Sequence, residues 1–189
     1  MAKLKLGIIV GSNRRESINR KLAQALARLG GNRFEAKFIQ IDDLPIYNQD
    51  HENPAPANVA RMKADIEGSD AILFVTPEHN RSIPAVLKNA IDWAARPYGK
   101  NSWRGKPAAV TGTTPGVIST AVAQAHLRSV LSTSMHVMGG EAYIQFKPEL
   151  VDAQGNVTDE SARKFLKDFI DQFAGFAARF TSQRAQAAA

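Results

Sequence analysis

The chain has 189 residues, 44% of them hydrophobic and 22% charged, with a formal net charge of +6 and no cysteine. That length fits one domain, and the composition can bury a core, which excludes a globally disordered chain. Disulfides and cysteine-based zinc or redox chemistry are excluded, and a cysteine-free chain suits a reducing cytoplasm. The positive balance is compatible with nucleic acid, an anionic cofactor or an anionic substrate. The 24 Lys and Arg residues are scattered, however, with no run longer than Arg14-Arg15, so a solvated basic surface is expected and no nucleic-acid partner. No apolar stretch approaches the ~20 residues of a membrane span, so no membrane partner is expected either. The first ten residues mimic a signal peptide, but the apolar run is short and Arg14, Arg15 and Glu16 follow it.

Leu4 to Val10 is an apolar run of strand length, consistent with a strand buried on both faces. Ser17 can cap the helix that follows, in which Ile18, Leu22, Ala25, Leu26 and Leu29 form one stripe and Gly30-Gly31-Asn32 the stop. Phe34 to Ile41 reads as a second strand. Residues 42–57, with prolines at 45, 54 and 56, read as irregular, and a loop of that length is often functional. A polar helix follows from Asn58 to Glu67, then a wholly apolar third strand from Ala71 to Val75. After the loop Pro77 to Ser82, Pro84 opens a helix in its first turn, with Ile83, Val86, Leu87, Ala90, Ile91 and Ala94 as its apolar stripe. Pro107 to Val110 is a fourth strand, Thr111 to Ser119 a Gly/Thr/Pro loop, and a helix runs on to about Ser132. Met135 to Met138 is a short fifth strand. Asp159 to Phe180 is the last helix, whose phenylalanines at 165, 169, 173, 176 and 180 are expected in the core. Residues 1–180 thus form one domain, and 181–189, with no stripe to bury, are expected to fray.

Strands alternating with helices argue for a doubly wound parallel sheet, which binds ligands beyond the carboxyl ends of its strands. Three loops leave those ends. The first carries Ser12, Asn13, Arg14, Ser17 and Asn19 at a helix start. It is either a compact anion site, with hydroxyls, guanidinium and free helix N–H groups around a phosphate monoester, or a capped helix with solvated arginines. The second, Thr76 to Pro84, is polar and bracketed by proline, suited to hydrogen-bonding the edge of a planar heterocycle. Glu78 there is either a contact or a carboxylate that caps a helix or braces the loop, and His79 either a contact or a surface histidine. The third, Thr111 to Ser119, has small residues that either permit close approach of a flat ligand or simply make a flexible connection. No Gly-x-Gly-x-x-Gly follows the first strand, and neither a P-loop nor a Gly-x-Ser-x-Gly elbow is present.

Gly11-Ser12-x-Arg14-x-x-Ser17-x-Asn19 together with Pro77-Glu78-x-Asn80-x-Ser82-x-Pro84 resembles the NADPH-dependent FMN reductase family, and within it the chromate- and quinone-reducing flavoproteins. Leu44-Pro45-Ile46-Tyr47, residues 87–93 and Gly105-Lys106-Pro107 are further similar stretches, and the similarity spans about residues 4–145. The resemblance implies a flavodoxin-like α/β fold, a five-stranded parallel sheet of order 2-1-3-4-5 with helices on both faces. It implies bound FMN with NADPH or NADH as co-substrate, and reduction of quinones, chromate or similar small acceptors by ping-pong hydride transfer. No side-chain general acid or base is required. It places the FMN phosphate on Ser12, Asn13, Arg14, Ser17, Ile18 and Asn19. The isoalloxazine then lies against Pro77, Glu78, His79 and Asn80, with Thr113 or Thr114 nearby. It also implies a homodimer or a dimer of dimers (a homotetramer), with the helix over 84–96 against a partner; Trp93 on it is either part of that contact or a core residue of the protomer. His79 and Arg81 stand where many relatives carry tyrosine. Arg81 adds a cation near the expected flavin edge and is read as a substrate residue that favours anions such as chromate or the extra phosphate of NADPH. The rival of the same fold is an FMN-binding electron carrier without a substrate site, but carriers of that type tend to be strongly acidic, unlike this chain.

Overall fold

The computed structural model describes residues 2–152 and 154–187. Strands β1 (Leu4–Val10), β2 (Phe34–Phe38), β3 (Ala71–Val75), β4 (Pro107–Thr114) and β5 (His136–Val137) form a parallel sheet of order β2-β1-β3-β4-β5. A sixth strand, β6 (Tyr143–Gln145), pairs with the far end of β4. Helices α1 (Ile18–Leu29) and α5 (Glu160–Ala187) pack on one face. Helices α2 (Ala57–Glu67), α3 (Ala85–Ala94) and α4 (Ala121–Leu131) pack on the other. This is the flavodoxin-like arrangement the resemblance implies, with one strand more than the five expected.

Alternation along the central strands divides the core. Leu6, Ile8 and Val10 of β1 and Leu73 and Val75 of β3 point to the α1/α5 face. Ile9, Ile72 and Phe74 point to the α2/α3/α4 face. Both faces are therefore apolar, which is why these strands read as continuous hydrophobic runs.

Several expected boundaries move. The second strand stops at Phe38, although Ile39 and Ile41 beyond it remain buried. The stretch over 42–57 contains one 3-10 turn, Gln49–His51, started by the Asn48 side chain accepting from the Asp50 N–H. Pro84 sits at the N-cap of α3 rather than in its first turn. Helix α5 runs past Phe180 to Ala187 through residues with good helix propensity, and 188–189 lie outside the described residues. Of its phenylalanines, Phe169 and Phe173 are buried but Phe165 is 45% exposed.

The largest difference lies at the sheet edge. Strand β4 continues through Thr111–Thr114, which read as loop, and the fifth position of the sheet is split. Strand β5 pairs only with Pro107 and Ala108, and β6 rejoins β4 at Gly112–Thr114. Gly139-Gly140 interrupt the edge, as glycines weaken strands. Arg128 bridges the gap by donating to the Met138 and Gly140 carbonyls at 2.5 and 2.7 Å.

The loop after β2 is pinned to α3. Asn89 Nδ2 and Trp93 Nε1 both donate to the Pro45 carbonyl, at 2.9 and 2.8 Å, and Tyr47 N–H donates to Asn89 Oδ1. Trp93 is 1% exposed, so of its two readings the structure takes the protomer core and not the partner contact. Glu52 accepts from Arg96 Nε and from the Tyr47 hydroxyl, both at 2.7 Å. The Arg96 hydrogen bond, then that of Tyr47, holds the Glu52 carboxyl below its ordinary pKa.

Candidate functional site

The carboxyl ends of β1, β3 and β4 lie side by side, where the strand order reverses between β1 and β3. Such a switch point opens a crevice above the sheet. Here it is a cleft of about 360 Å³, lined by the loop after β1, the loop after β3, the start of α3 and residues 113–115. Ser12, Asn13, Arg14, Ser17, Ile18, Asn19, Pro77, Glu78, His79, Thr113 and Thr114 all line it. Asn80 and Arg81 do not. A second cavity of about 250 Å³ adjoins it through Ser12, Asn13 and Val86 and extends toward Arg20, Gln40 and Asp42.

The first loop is open toward a ligand. Among the described residues, no backbone N–H from Ser12 to Asn19 has an acceptor within the chain. The Ser17 hydroxyl accepts from the Arg20 N–H at 3.2 Å and keeps its own proton free to donate. Arg14 is exposed. This is the geometry that binds an anion at a helix start.

Asn19 does something else. Its side chain is buried, accepting from the Thr113 N–H and donating to the Thr113 carbonyl, both at 2.9 Å. It locks the first loop to the end of β4 and leaves only its backbone facing the expected phosphate. Thr113 is likewise committed, since its hydroxyl donates to the Ile144 carbonyl of β6 at 2.7 Å. Of the two threonines, Thr114 is the one only partly buried at the cleft. Gly112 beside them admits no side chain, because a Cβ would come within 2.0 Å of the Thr76 carbonyl oxygen.

The second loop folds into a hairpin that sequence reasoning missed. His79 and Ser82 exchange both backbone hydrogen bonds at 2.9 Å, and Asn80 and Arg81 form the turn with φ of 49° and 63°. Two successive positive φ angles define the I′-type hairpin turn. Asparagine tolerates that conformation, whereas arginine is held there at a steric cost of about 1–2 kcal/mol. The Asn80-Arg81 pair lacks the glycine that normally flags such a turn.

Glu78 stiffens this hairpin. Its carboxylate accepts from the Val122 and Ala123 N–H groups, both at 3.1 Å, and so caps α4, whose own N-cap Thr120 accepts from the Gln124 side chain rather than from a helix N–H. Arg81 Nη1 lies 3.4 Å from the other carboxylate oxygen. The capping alternative for Glu78 is thus the one its side chain adopts. Ser82 Oγ and His126 Nδ1, 2.8 Å apart, form a second tie between hairpin and α4.

Residues 4–149 match the family described as NADPH-dependent FMN reductase. The chain is 45% identical over 175 residues to a 2-hydroxy-1,4-benzoquinone reductase of Burkholderia sp, covering 92% of this chain and 96% of that protein. It is 45% identical over 174 residues to a quinone reductase of Pseudomonas putida, covering 90% and 93%. Among solved structures it is similar to FerB, a flavoenzyme NAD(P)H:(acceptor) oxidoreductase from Paracoccus denitrificans. The TM-score there is 0.90 and the identity 49%, over 94% of this chain and 98% of that one.

Proposed function

The chain belongs to the NADPH-dependent FMN reductase family, and from that premise we propose that the cleft at the carboxyl ends of β1, β3 and β4 seats FMN with its phosphate at the start of α1. The protein is an FMN-dependent NAD(P)H oxidoreductase that reduces quinones. The observation that carries the site assignment is the run of free N–H groups from Ser12 to Asn19. With the Ser12 and Ser17 hydroxyls and the Arg14 guanidinium they make an all-donor cradle, which fits a phosphate dianion. A cleft of about 360 Å³ falls in the usual range for small-ligand sites, about 300–1,000 Å³.

Bound FMN supplies the electron transfer, hydride in from NAD(P)H and reducing equivalents out to the acceptor. The chain supplies position. Ser12, Arg14 and Ser17 hold the phosphate end, aided by the positive end of the α1 dipole. Asn19 fixes that loop to β4, so the phosphate cradle and the Thr113-Thr114 wall keep one spacing. Among the described residues, the backbone N–H groups of Glu78 and Asn80 have no acceptor and remain to donate to the ring edge. Glu78 itself acts through α4, holding the hairpin against the cleft.

Chromate reduction, action in the cytoplasm and a homodimer or dimer-of-dimers assembly complete the reading. Cationic Arg14 and Arg81 at and beside the cleft support the first, and a chain with no cysteine suits the second. Ile46, at 87% exposure on the loop pinned to α3, and Tyr98, at 93% just beyond α3, support a partner over that end of the molecule. No helix among the described residues is long and apolar enough to cross a membrane.

The test is direct. The purified protein should be yellow and release FMN on denaturation, and Arg14→Ala should weaken FMN binding by about tenfold, the weight of one charge-assisted contact. A colourless protein that takes up no added FMN refutes the assignment.

A further inference from the structure

Resting on the FMN reading above, we propose that the hairpin tip and the first turns of α4 form an acceptor subsite that selects ionised hydroxyquinones over neutral quinones. Arg81 is the selecting cation. Its side chain is 68% exposed, and among the described residues it pairs with the Glu78 oxygen at 3.4 Å, beyond a good hydrogen bond. The guanidinium is therefore only loosely paired, with most of its N–H groups open to a ligand. It is also held in a strained backbone conformation, at φ 63°, where glycine would be the comfortable residue. Strain kept at a ligand site is a recurring mark of function.

The surroundings of Arg81 have the two halves that a hydroxyquinone requires. The same Glu78 carboxylate touches Arg81 and the Val122 N–H, so the cation and the first turn of α4 are neighbours. Val122, and Ile118 in the turn that leads into α4, are exposed apolar side chains, 38% and 58% accessible, available to the face of a ring. One turn along α4, His126 holds the Ser82 hydroxyl at 2.8 Å, which adds polar groups on the Arg81 side. Ser82 is the direct hairpin partner of His79, a residue of the cofactor cleft, so the patch stands one rung from the expected flavin edge. A 2-hydroxy-1,4-benzoquinone is a vinylogous carboxylic acid and an anion at neutral pH. Its flat ring suits the Val122–Ile118 side and its delocalised oxyanion suits a guanidinium, which pairs with planar anions in a fork geometry. A methoxyquinone has nearly the same size and no charge.

The experiment compares 2-hydroxy-, 2-methoxy- and unsubstituted 1,4-benzoquinone. Each is titrated into the oxidised, FMN-loaded protein without NAD(P)H and followed by calorimetry, and then assayed as acceptor. Arg81→Ala should weaken hydroxyquinone binding by about tenfold and leave the two neutral quinones within about twofold. Arg81→Lys should keep most of the preference. Arg81→Gly removes the cation while relieving the turn, and should give the same selective loss in a protein at least as stable as the parent. Equal losses on all three quinones, or no loss on any, overturn the proposal. Flavin content and reduction by NAD(P)H are measured on every variant. If they are intact while selectivity is unchanged, the subsite alone has failed; if no variant or parent holds FMN, the underlying reading has failed first.

Discussion

Asn19 offers the sharpest test of how this site is built. As a phosphate ligand, its loss would weaken FMN and leave the flavin-free protein untouched. As the brace seen here, its loss damages the fold itself. Asn19→Ala strips two buried hydrogen bonds at 2.9 Å and leaves the Thr113 N–H and carbonyl without partners at a position 0% exposed. Each stranded group costs about 1–3 kcal/mol, so the expected loss is about 3 kcal/mol. For a chain of this size that is a fall in Tm of about 6–12 °C. Urea denaturation of the flavin-free protein reads it without any contribution from FMN binding. Asn19→Asp keeps an acceptor for the Thr113 N–H but sets a carboxylate against the Thr113 carbonyl, so it should not rescue. A flavin-free Asn19→Ala protein within about 1 kcal/mol of the parent, a change too small for one stranded buried group, would refute the brace.

Glu78→Ala removes the carboxylate cap at the N-terminus of α4 and should cost about 2 kcal/mol, whereas Glu78→Gln, which keeps one acceptor, should cost about half that; thermal melts of the two variants decide. Gly112→Ala should prevent folding at ordinary temperature, since its Cβ meets backbone rather than a movable side chain; soluble, cooperatively melting protein would contradict this. The Glu52–Arg96 pair predicts an acid-sensitive component of stability. The Glu52 pKa is lowered in the fold, so its contribution is complete above the unfolded carboxylate value, about pH 4.3, and is lost as the pH falls through the lower folded value. Relative to the parent, Glu52→Gln should therefore be less stable at neutral pH and converge with it in strong acid, as read by denaturation across a pH series.

Much of the site was legible in the order of the residues. Strands β1 and β3 are buried on both faces, so their apolar runs announce a parallel sheet, and the loops at their carboxyl ends are then the place for a ligand. Eleven of the twelve residues read as cofactor contacts do line one cleft. Their individual duties were less legible. Asn19, Thr113 and Glu78 look like ligands because they are polar and lie in the loops, yet their side chains are spent on backbone groups far away in sequence. Trp93 reads equally as a partner contact or a core residue until its burial and its N–H bond to the Pro45 carbonyl decide for the core.

What the sequence determined by itself is the periodic and the local: apolar strands, the Ser17 cap, the loop rich in hydroxyl and arginine, and the motifs that mark the family. These follow from side-chain spacing and short-range hydrogen bonding, which neighbours along the chain settle. Only the tertiary structure decided the split edge of the sheet, where Thr113 and Ser119 hydroxyls meet the Ile144 carbonyl. It alone decided the hairpin that strains Arg81 beside α4, and the commitment of Asn19 and Glu78 to bracing. The physical reason is that a polar side chain takes the unsatisfied backbone group that folding brings near it, and no pattern in the residue itself says which group that will be.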